Sequence, residues 1–250
     1  MQRDELTDFL TTYLRTNEYK DDCPNGLQVE GTKNVNKIFT AVSASVELFQ
    51  KAVAEKADTV LVHHGIIWNF ERPVYRGGYR ERIRLLLAND INLYAFHLPL
   101  DAHEGIGNNA QICQQLEMKN IQPFGNIKGQ YIGMKGEIDK VEKELFFRRI
   151  SKLMDRDPLI FDSGPDMVEK IGVISGGAQK YFDQAVSEGL DVYLTGEVSE
   201  HIMHYAKEEK IHFVSAGHYA TEKFGIIALG KLLNQKFDIE TSFIDIQNPV

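Results

Sequence analysis

Three short segments carry the side chains best suited to chemistry. They are His63-His64, His97 with Asp101 in HLPLDAH, and His218 with Glu222 in GHYATE. Imidazole nitrogen is a borderline donor and carboxylate oxygen a hard one, so together they suit a divalent first-row metal better than calcium. His63, His64, Asp101, His218 and Glu222 make five donors, enough for two divalent ions with a bridging carboxylate and positions left for water. Zinc, iron, manganese, nickel and cobalt all fit such a set. Taken singly, each segment has a plainer explanation: strand-end histidines satisfied by backbone, a helix cap at Asp101, or an acidic residue near a helix dipole at Glu222. Each, however, follows a segment read as a strand (TVLV, INLYAF, IHFVSA), and ligands of open α/β sheets bind beyond the carboxyl ends of strands. Jointly the three point to a metal site. Neighbouring strand residues face opposite sides, so His63 and His64 are expected to serve two ions, or one ion and one supporting role.

His97, Glu197 and His201 are candidate acid/base residues. Glu197, in Thr195-Gly196-Glu197, takes the repeat position of His64, and His201, four residues on, stands with His204 on an expected helix; orientation of a ligand, a decayed site, or surface residues of a short helix explain them equally well. Ser175-Gly176-Gly177-Ala178 is a Gly-rich turn of the kind that approaches phosphate, but it matches neither GxGxxG nor the Walker pattern. Arg72, Arg76, Arg80, Arg82 and Arg84 either hold phosphates or solvate a helix and loop. Trp68 reads as a core or interface residue rather than the wall of a base-binding pocket.

The elements that must position these groups follow from periodicity. Leu6, Phe9, Leu10, Tyr13 and Leu14 mark an amphipathic helix, and Asp22–Gly26 a loop. Strands are expected at 37–42, 59–62 and 91–96, with helices at 45–56, 79–89 and 108–116. Residues 120–137 read as turn-rich β structure. Asp139 and Glu142 look like a capping box that opens a helix reaching to about 154. Beyond Gly217-His218, an apolar helix is expected to be buried. Alternating strands and helices make this an α/β protein with parallel pairs.

The chain also repeats itself. Lys37–His64 aligns without gaps on Lys170–Glu197 at an offset of 133, with eight identities in 28 columns, among them Lys37/Lys170, Ala52/Ala185 and Asp58/Asp191. Two similar α/β lobes related by internal duplication are therefore expected. The boundaries are drawn as 1–124 plus 217–250 for the metal-ligand lobe and 125–216 for the second.

The 250 residues carry 28 Lys and Arg against 36 Asp and Glu, a formal charge of −8. That balance argues against broad nucleic-acid or anionic-membrane binding. The start MQRDELTDFL has no signal-peptide pattern, no apolar run approaches the ~20 residues of a membrane span, and Cys23 and Cys113 have no CxxC spacing. Reduced thiols in a cytoplasmic protein are expected.

Together, Asn25-Gly26-Leu27-Gln28-Val29, His63–Trp68, His97–Asp101, Gly107-Asn108-Asn109, Thr195–Glu197 with His201, and Gly217–Glu222 resemble the GTP cyclohydrolase I type 2 homologue (Nif-three-like) family, from about Leu6 to Ile246. The resemblance implies a dinuclear metal centre at His63, His64, Asp101, His218 and Glu222, with Glu222 as the bridge. It also implies two α/β lobes, a C-terminal segment that completes the first, and a homohexameric toroid. The family name implies hydrolytic opening of the guanine imidazole ring of GTP, releasing formate; such a reaction needs a proton shuttle, for which a second metal, His97 or Glu197 would serve. Competing functions are a metal-binding assembly or adaptor toroid without turnover, and a ring that holds single-stranded nucleic acid.

Overall fold

A computed structural model describes residues 1–250. In chain order the elements are α1 (Arg3–Tyr13), β1 (Gly26–Val29), β2 (Lys37–Ser43), α2 (Val46–Ala54), β3 (Thr59–His64), α3 (Gly77–Ala88), β4 (Asn92–Ala95), α4 (Leu98–Ala102), α5 (Asn108–Gln115), β5 (Lys119–Ile127), β6 (Gln130–Glu142), α6 (Lys143–Met154), β7 (Leu159–Phe161), β8 (Met167–Val173), α7 (Phe182–Ser187), β9 (Val192–Thr195), α8 (Ile202–Glu209), β10 (His212–Ser215), α9 (His218–Phe237) and β11 (Glu240–Phe243).

The chain divides into two compact units: 1–100 with 225–247, and 101–224 with 248–250. These boundaries differ from the expected 1–124 plus 217–250 and 125–216. The reason lies in packing. Ala110, Ile112, Cys113 and Leu116 of the α5 region share one core with Ile171, Val173, Val192 and Ala220, so 101–124 and the start of α9 belong with the second unit.

In the first unit the sheet order is β1-β4-β3-β2-β11. β4, β3, β2 and β11 run parallel, and β1 is an antiparallel edge. β11 pairs with β2, so the C-terminal segment completes this sheet as expected. Phe39, Ala41, Val60, Val62, Leu93 and Ala95 alternate along three strands onto one face, against Leu48, Phe49 and Ala52 of α2. α2 begins where Ser45 Oγ accepts the amide of Leu48, an N-cap.

In the second unit the order is β5-β6-β8-β9-β10-β7. β8, β9 and β10 are parallel; β5, β6 and β7 are antiparallel additions. Ile171, Val173, Val192, Leu194 and Val214 enter one core, while Tyr193 and Phe213 enter the core on the opposite face. Period-two apolar character on both faces is what a sheet covered on two sides requires. The turn-rich segment is the β5–β6 hairpin, closed by Lys128 (φ 52°) and Gly129 (φ 88°), both in the left-handed region a tight hairpin turn requires.

The expected helix start at Asp139–Glu142 is corrected. These residues end β6, where Val141 and Glu142 pair with Val168 and Met167, and α6 starts at Lys143 without a side-chain cap. Ladder bonds to β8 prevail over a local cap worth about 1 kcal/mol.

The repeat is visible in backbone chemistry. Asp58 Oδ2 accepts the amides of Asn36 and Lys37, and Asp58 N donates to Lys37 O. At the same offset, Asp191 Oδ2 accepts the amides of Glu169 and Lys170, and Asp191 N donates to Lys170 O. The turns before them match too: Ala57 N donates to Ala52 O and Leu190 N to Ala185 O. The shared lysine, alanine and aspartate positions thus mark one βαβ turn built twice.

Candidate metal centre

β3 extends through both histidines, so His63 and His64 are its last two residues rather than a loop beyond it. His63 is fully buried and His64 half-buried. Despite strand alternation their rings converge at the strand end, with centroids 4.6 Å apart. The His97 ring stands 5.3 Å from His63 and 5.6 Å from His64. One ligand nitrogen from each of the three lies within 4.8 Å of the others, close enough to hold a metal ion.

Each ring is oriented from behind. His63 Nδ1 lies 2.8 Å from the Phe96 carbonyl. A carbonyl only accepts, so Nδ1 carries the hydrogen and Nε2 keeps the lone pair. His64 Nδ1 is 3.0 Å from Ser43 Oγ. His97 Nδ1 is 2.8 Å from Asp21 Oδ1. Burial works to raise the Asp21 carboxyl, but hydrogen bonds from His97, Asn25 and the Leu98 amide outweigh it and bring it down to about 2. Trp68 meets the His97 ring edge-on at 5.1 Å and stacks on Phe70 at 5.5 Å, packed at the rim of the core as expected.

Supporting residues that composition and spacing do not single out stand in the 21–28 segment. Asn25 Oδ1 accepts the His97 amide, and its Nδ2 donates to Asp21 Oδ2. Gln28 Oε1 accepts the amides of Ile66 and Ile67. A Cβ on Gly65 would stand 2.2 Å from that same oxygen, so a larger residue there would push Gln28 off the amides of Ile66 and Ile67. Only the resemblance motif containing Asn25 and Gln28 signals these roles.

The second unit holds carboxylates and one imidazole of its own. Asp101 lies in α4, 4% exposed, and its Oδ1 accepts from Asn108 Nδ2 and Ser175 Oγ, each at 2.8 Å. His218 and Glu222 sit one turn apart at the start of α9. His218 Nε2 is 3.0 Å from Glu222 Oε2, and Nδ1 is 2.6 Å from Glu197 Oε1. Burial disfavours charge on the His218 ring, yet hydrogen bonds and negative charge from Glu222 and Glu197 outweigh it and raise the ring to about 9. A cation is thus favoured beside two carboxylates, a demand a divalent ion also meets.

The Gly-rich turn after β8 frames these side chains. Ser175 holds Asp101, Gly176 N donates to Thr221 Oγ1, and a Cβ on Gly176 would lie 2.1 Å from Glu222 Oε1. A Cβ on Gly196 would meet the His218 Cα at 2.6 Å. The glycines make room for carboxylate and imidazole, and the turn is filled by them rather than open to phosphate.

The other candidates differ in placement. Glu197 is in the loop after β9 and contacts His218. His201 precedes α8 and is exposed, and it does not join Glu197. His103 is buried and accepts the amides of Gly105 and Ile106, a structural role. Arg72, Arg76 and Arg80 are exposed.

The family model for Duf34/NIF3 (NGG1p interacting factor 3) matches residues 1–249. A protein of Pasteurella multocida (strain Pm70) named GTP cyclohydrolase 1 type 2 homolog is 44% identical over 249 residues, which cover 98% of each chain. TTHA1606 from Thermus thermophilus superposes with a TM-score of 0.92 at 34% identity, covering 100% of both chains. Reduced HcgD from Methanocaldococcus jannaschii superposes at 0.87 and 26% identity, covering 98% of both. A family match that runs from the first residue to the 249th, beside relatives aligned over nearly their whole length, makes this chain a member of the Duf34/NIF3 family.

Proposed function

We propose that the chain holds two divalent metal ions through His63, His64, Asp101, His218 and Glu222, with Glu222 as the bridge, and hydrolyses a nucleotide or related heterocycle. The observation that carries this reading is how the imidazoles are held. His63, His64 and His218 each turn Nδ1 to an oxygen partner, on Phe96, Ser43 and Glu197. Metal-binding histidines are oriented in this way, with Nε2 as the donor. Mixed imidazole and carboxylate donors fit zinc, iron, manganese or nickel. When bound, such ions supply Lewis acidity and lower the pKa of water.

The chain's own residues have these tasks. Asp101 is aimed by Asn108 and Ser175. Glu197 orients His218. His97 takes up and returns a proton beside the substrate. GTP heads the list of substrates because the Pasteurella multocida relative bears the name GTP cyclohydrolase 1 type 2 homolog. An anionic nucleotide approaching a chain of charge −8 needs local positive charge, which the cations provide. A homo-oligomer, hexameric by family resemblance, belongs to the same reading. Phe70, Val74 and Tyr75, exposed at 71%, 51% and 61%, offer apolar surface for it. No helix is long and apolar enough to cross a membrane.

The test loads the purified chain separately with zinc, manganese and iron(II), incubates it with a nucleotide panel including GTP, and follows formate release and pterin fluorescence. Turnover is expected, with at least a 100-fold loss in Glu222→Ala. Absence of turnover with every metal and nucleotide contradicts the hydrolase reading. Unchanged turnover in Glu222→Ala removes that residue from the mechanism.

A further inference from the structure

Asp21 accepts hydrogen bonds on both carboxylate oxygens, all of them from N–H groups. Oδ1 accepts from the Asp22 amide at 2.7 Å, from His97 Nδ1 at 2.8 Å and from the Cys23 amide at 3.3 Å. Oδ2 accepts from Asn25 Nδ2 at 2.9 Å and from the Leu98 amide at 3.0 Å. The side chain is 3% exposed. Every partner but His97 can only donate, so the carboxylate serves wholly as an acceptor and His97 Nδ1 must supply its own hydrogen. Asn25 locks the pair, since it holds Asp21 Oδ2 with its amino group and the His97 amide with its carbonyl at 2.7 Å.

We infer that Asp21 is a positioning residue for His97, which it fixes as the Nδ1–H tautomer so that Nε2 serves as the proton acceptor beside His63 and His64. This inference rests on the hydrolase reading for its use, but its structural content stands apart from turnover. His63 is closed off from solvent, whereas the His97 side chain keeps 22% of its surface exposed. A group that exchanges a proton with substrate must be reachable, and His97 alone of these two is. A carboxylate behind an imidazole sets tautomer and ring direction without itself taking the proton, the role of the aspartate in serine-protease triads.

The test uses the full chain, stripped of metal by chelation and labelled with 15N-histidine. Long-range 1H–15N correlation near neutral pH reads the tautomer of each ring, with His97 assigned from its absence in His97→Gln. A hydrogen on His97 Nδ1 is expected, and loss of that pattern in Asp21→Ala. A wild-type His97 protonated on Nε2, or a Nδ1–H pattern that survives Asp21→Ala, overturns the inference. Should Asp21→Ala not fold, the wild-type spectrum still decides. Metal content supplies a second readout: His97→Gln is expected to retain the wild-type complement, and a loss of metal would make His97 a ligand and overturn its acceptor role. In whichever metal form turns over, Asp21→Ala is expected to lower kcat about 100-fold or more with KM within twofold. A wild-type chain without turnover counts against the hydrolase reading alone, because the tautomer is read in the metal-free protein.

Discussion

Gly176→Ala tests how tightly the second unit's donors are framed. Gly176 sits at φ +67°, where an L residue costs about 1–2 kcal/mol. Its new Cβ would stand 2.1 Å from Glu222 Oε1 and 3.2 Å from His218 Nε2. Glu222 is 3% exposed, so its carboxylate has no solvent to swing into and must shift within its buried setting. Backbone strain alone lowers Tm by ~2–8 °C at the usual 2–4 °C per kcal/mol for chains of this size. The displaced carboxylate adds a loss of about 10- to 100-fold in divalent-metal affinity, the usual cost of disturbing a ligand's setting. Calorimetric titration with zinc and thermal melts of the metal-free chain read the two effects separately. Gly78→Ala is the control: it lies in α3 with nothing within 4 Å of its Cβ, and it should leave Tm unchanged or slightly raised. Wild-type zinc affinity and Tm in Gly176→Ala would refute the claim that the missing side chain makes room for Glu222.

Three further outcomes follow from the same structure. Burial pushes the Cys23 and Cys113 thiols up to about 12, so native protein at pH 8 should react with Ellman's reagent far more slowly than urea-unfolded protein, and fast native labelling would contradict this. Asp21 is held at about 2 against an ordinary 3.8; a depressed carboxyl stabilises the fold above its unfolded pKa and loses that contribution as pH falls from about 4 to 2, ~2 kcal/mol in all, so Asp21→Asn should flatten denaturant-measured stability across that window. Asp58→Ala and Asp191→Ala each remove the acceptor for two backbone amides at equivalent places in the repeat, and both should cost ~1–3 kcal/mol in chemical denaturation, with a marked inequality counting against equivalent roles.

Much of this is legible from spacing. His63, His64, Asp101, His218 and Glu222 stand out because each follows or ends an apolar strand pattern, and strand ends are where α/β sheets present side chains. The repeat is legible because Lys37/Lys170 and Asp58/Asp191 share one turn chemistry. Asp21, Asn25 and Gln28 are not legible from periodicity. Their roles depend on contacts with His97 and with Ile66 and Ile67, dozens of residues away, and a loop carries no periodic signal for such partners. The start of α6 departs from expectation because a local cap pattern at Asp139–Glu142 ignores the ladder that β8 offers. His201 stands just before α8, which begins at Ile202, so its spacing of four from Glu197 brings nothing together. The turn at Gly176 resembles a phosphate loop in composition because close approach of any oxygen calls for glycine, and here the oxygen belongs to Glu222.

The most direct test of the central claim is metal stoichiometry. Chains loaded with zinc or manganese, dialysed and measured by inductively coupled plasma mass spectrometry against quantitative amino-acid analysis, should hold two ions per wild-type chain. Glu222→Ala should hold one or fewer. A wild-type chain with no bound ion, or a Glu222→Ala chain that keeps two, would contradict the assignment of these five residues as a dinuclear centre.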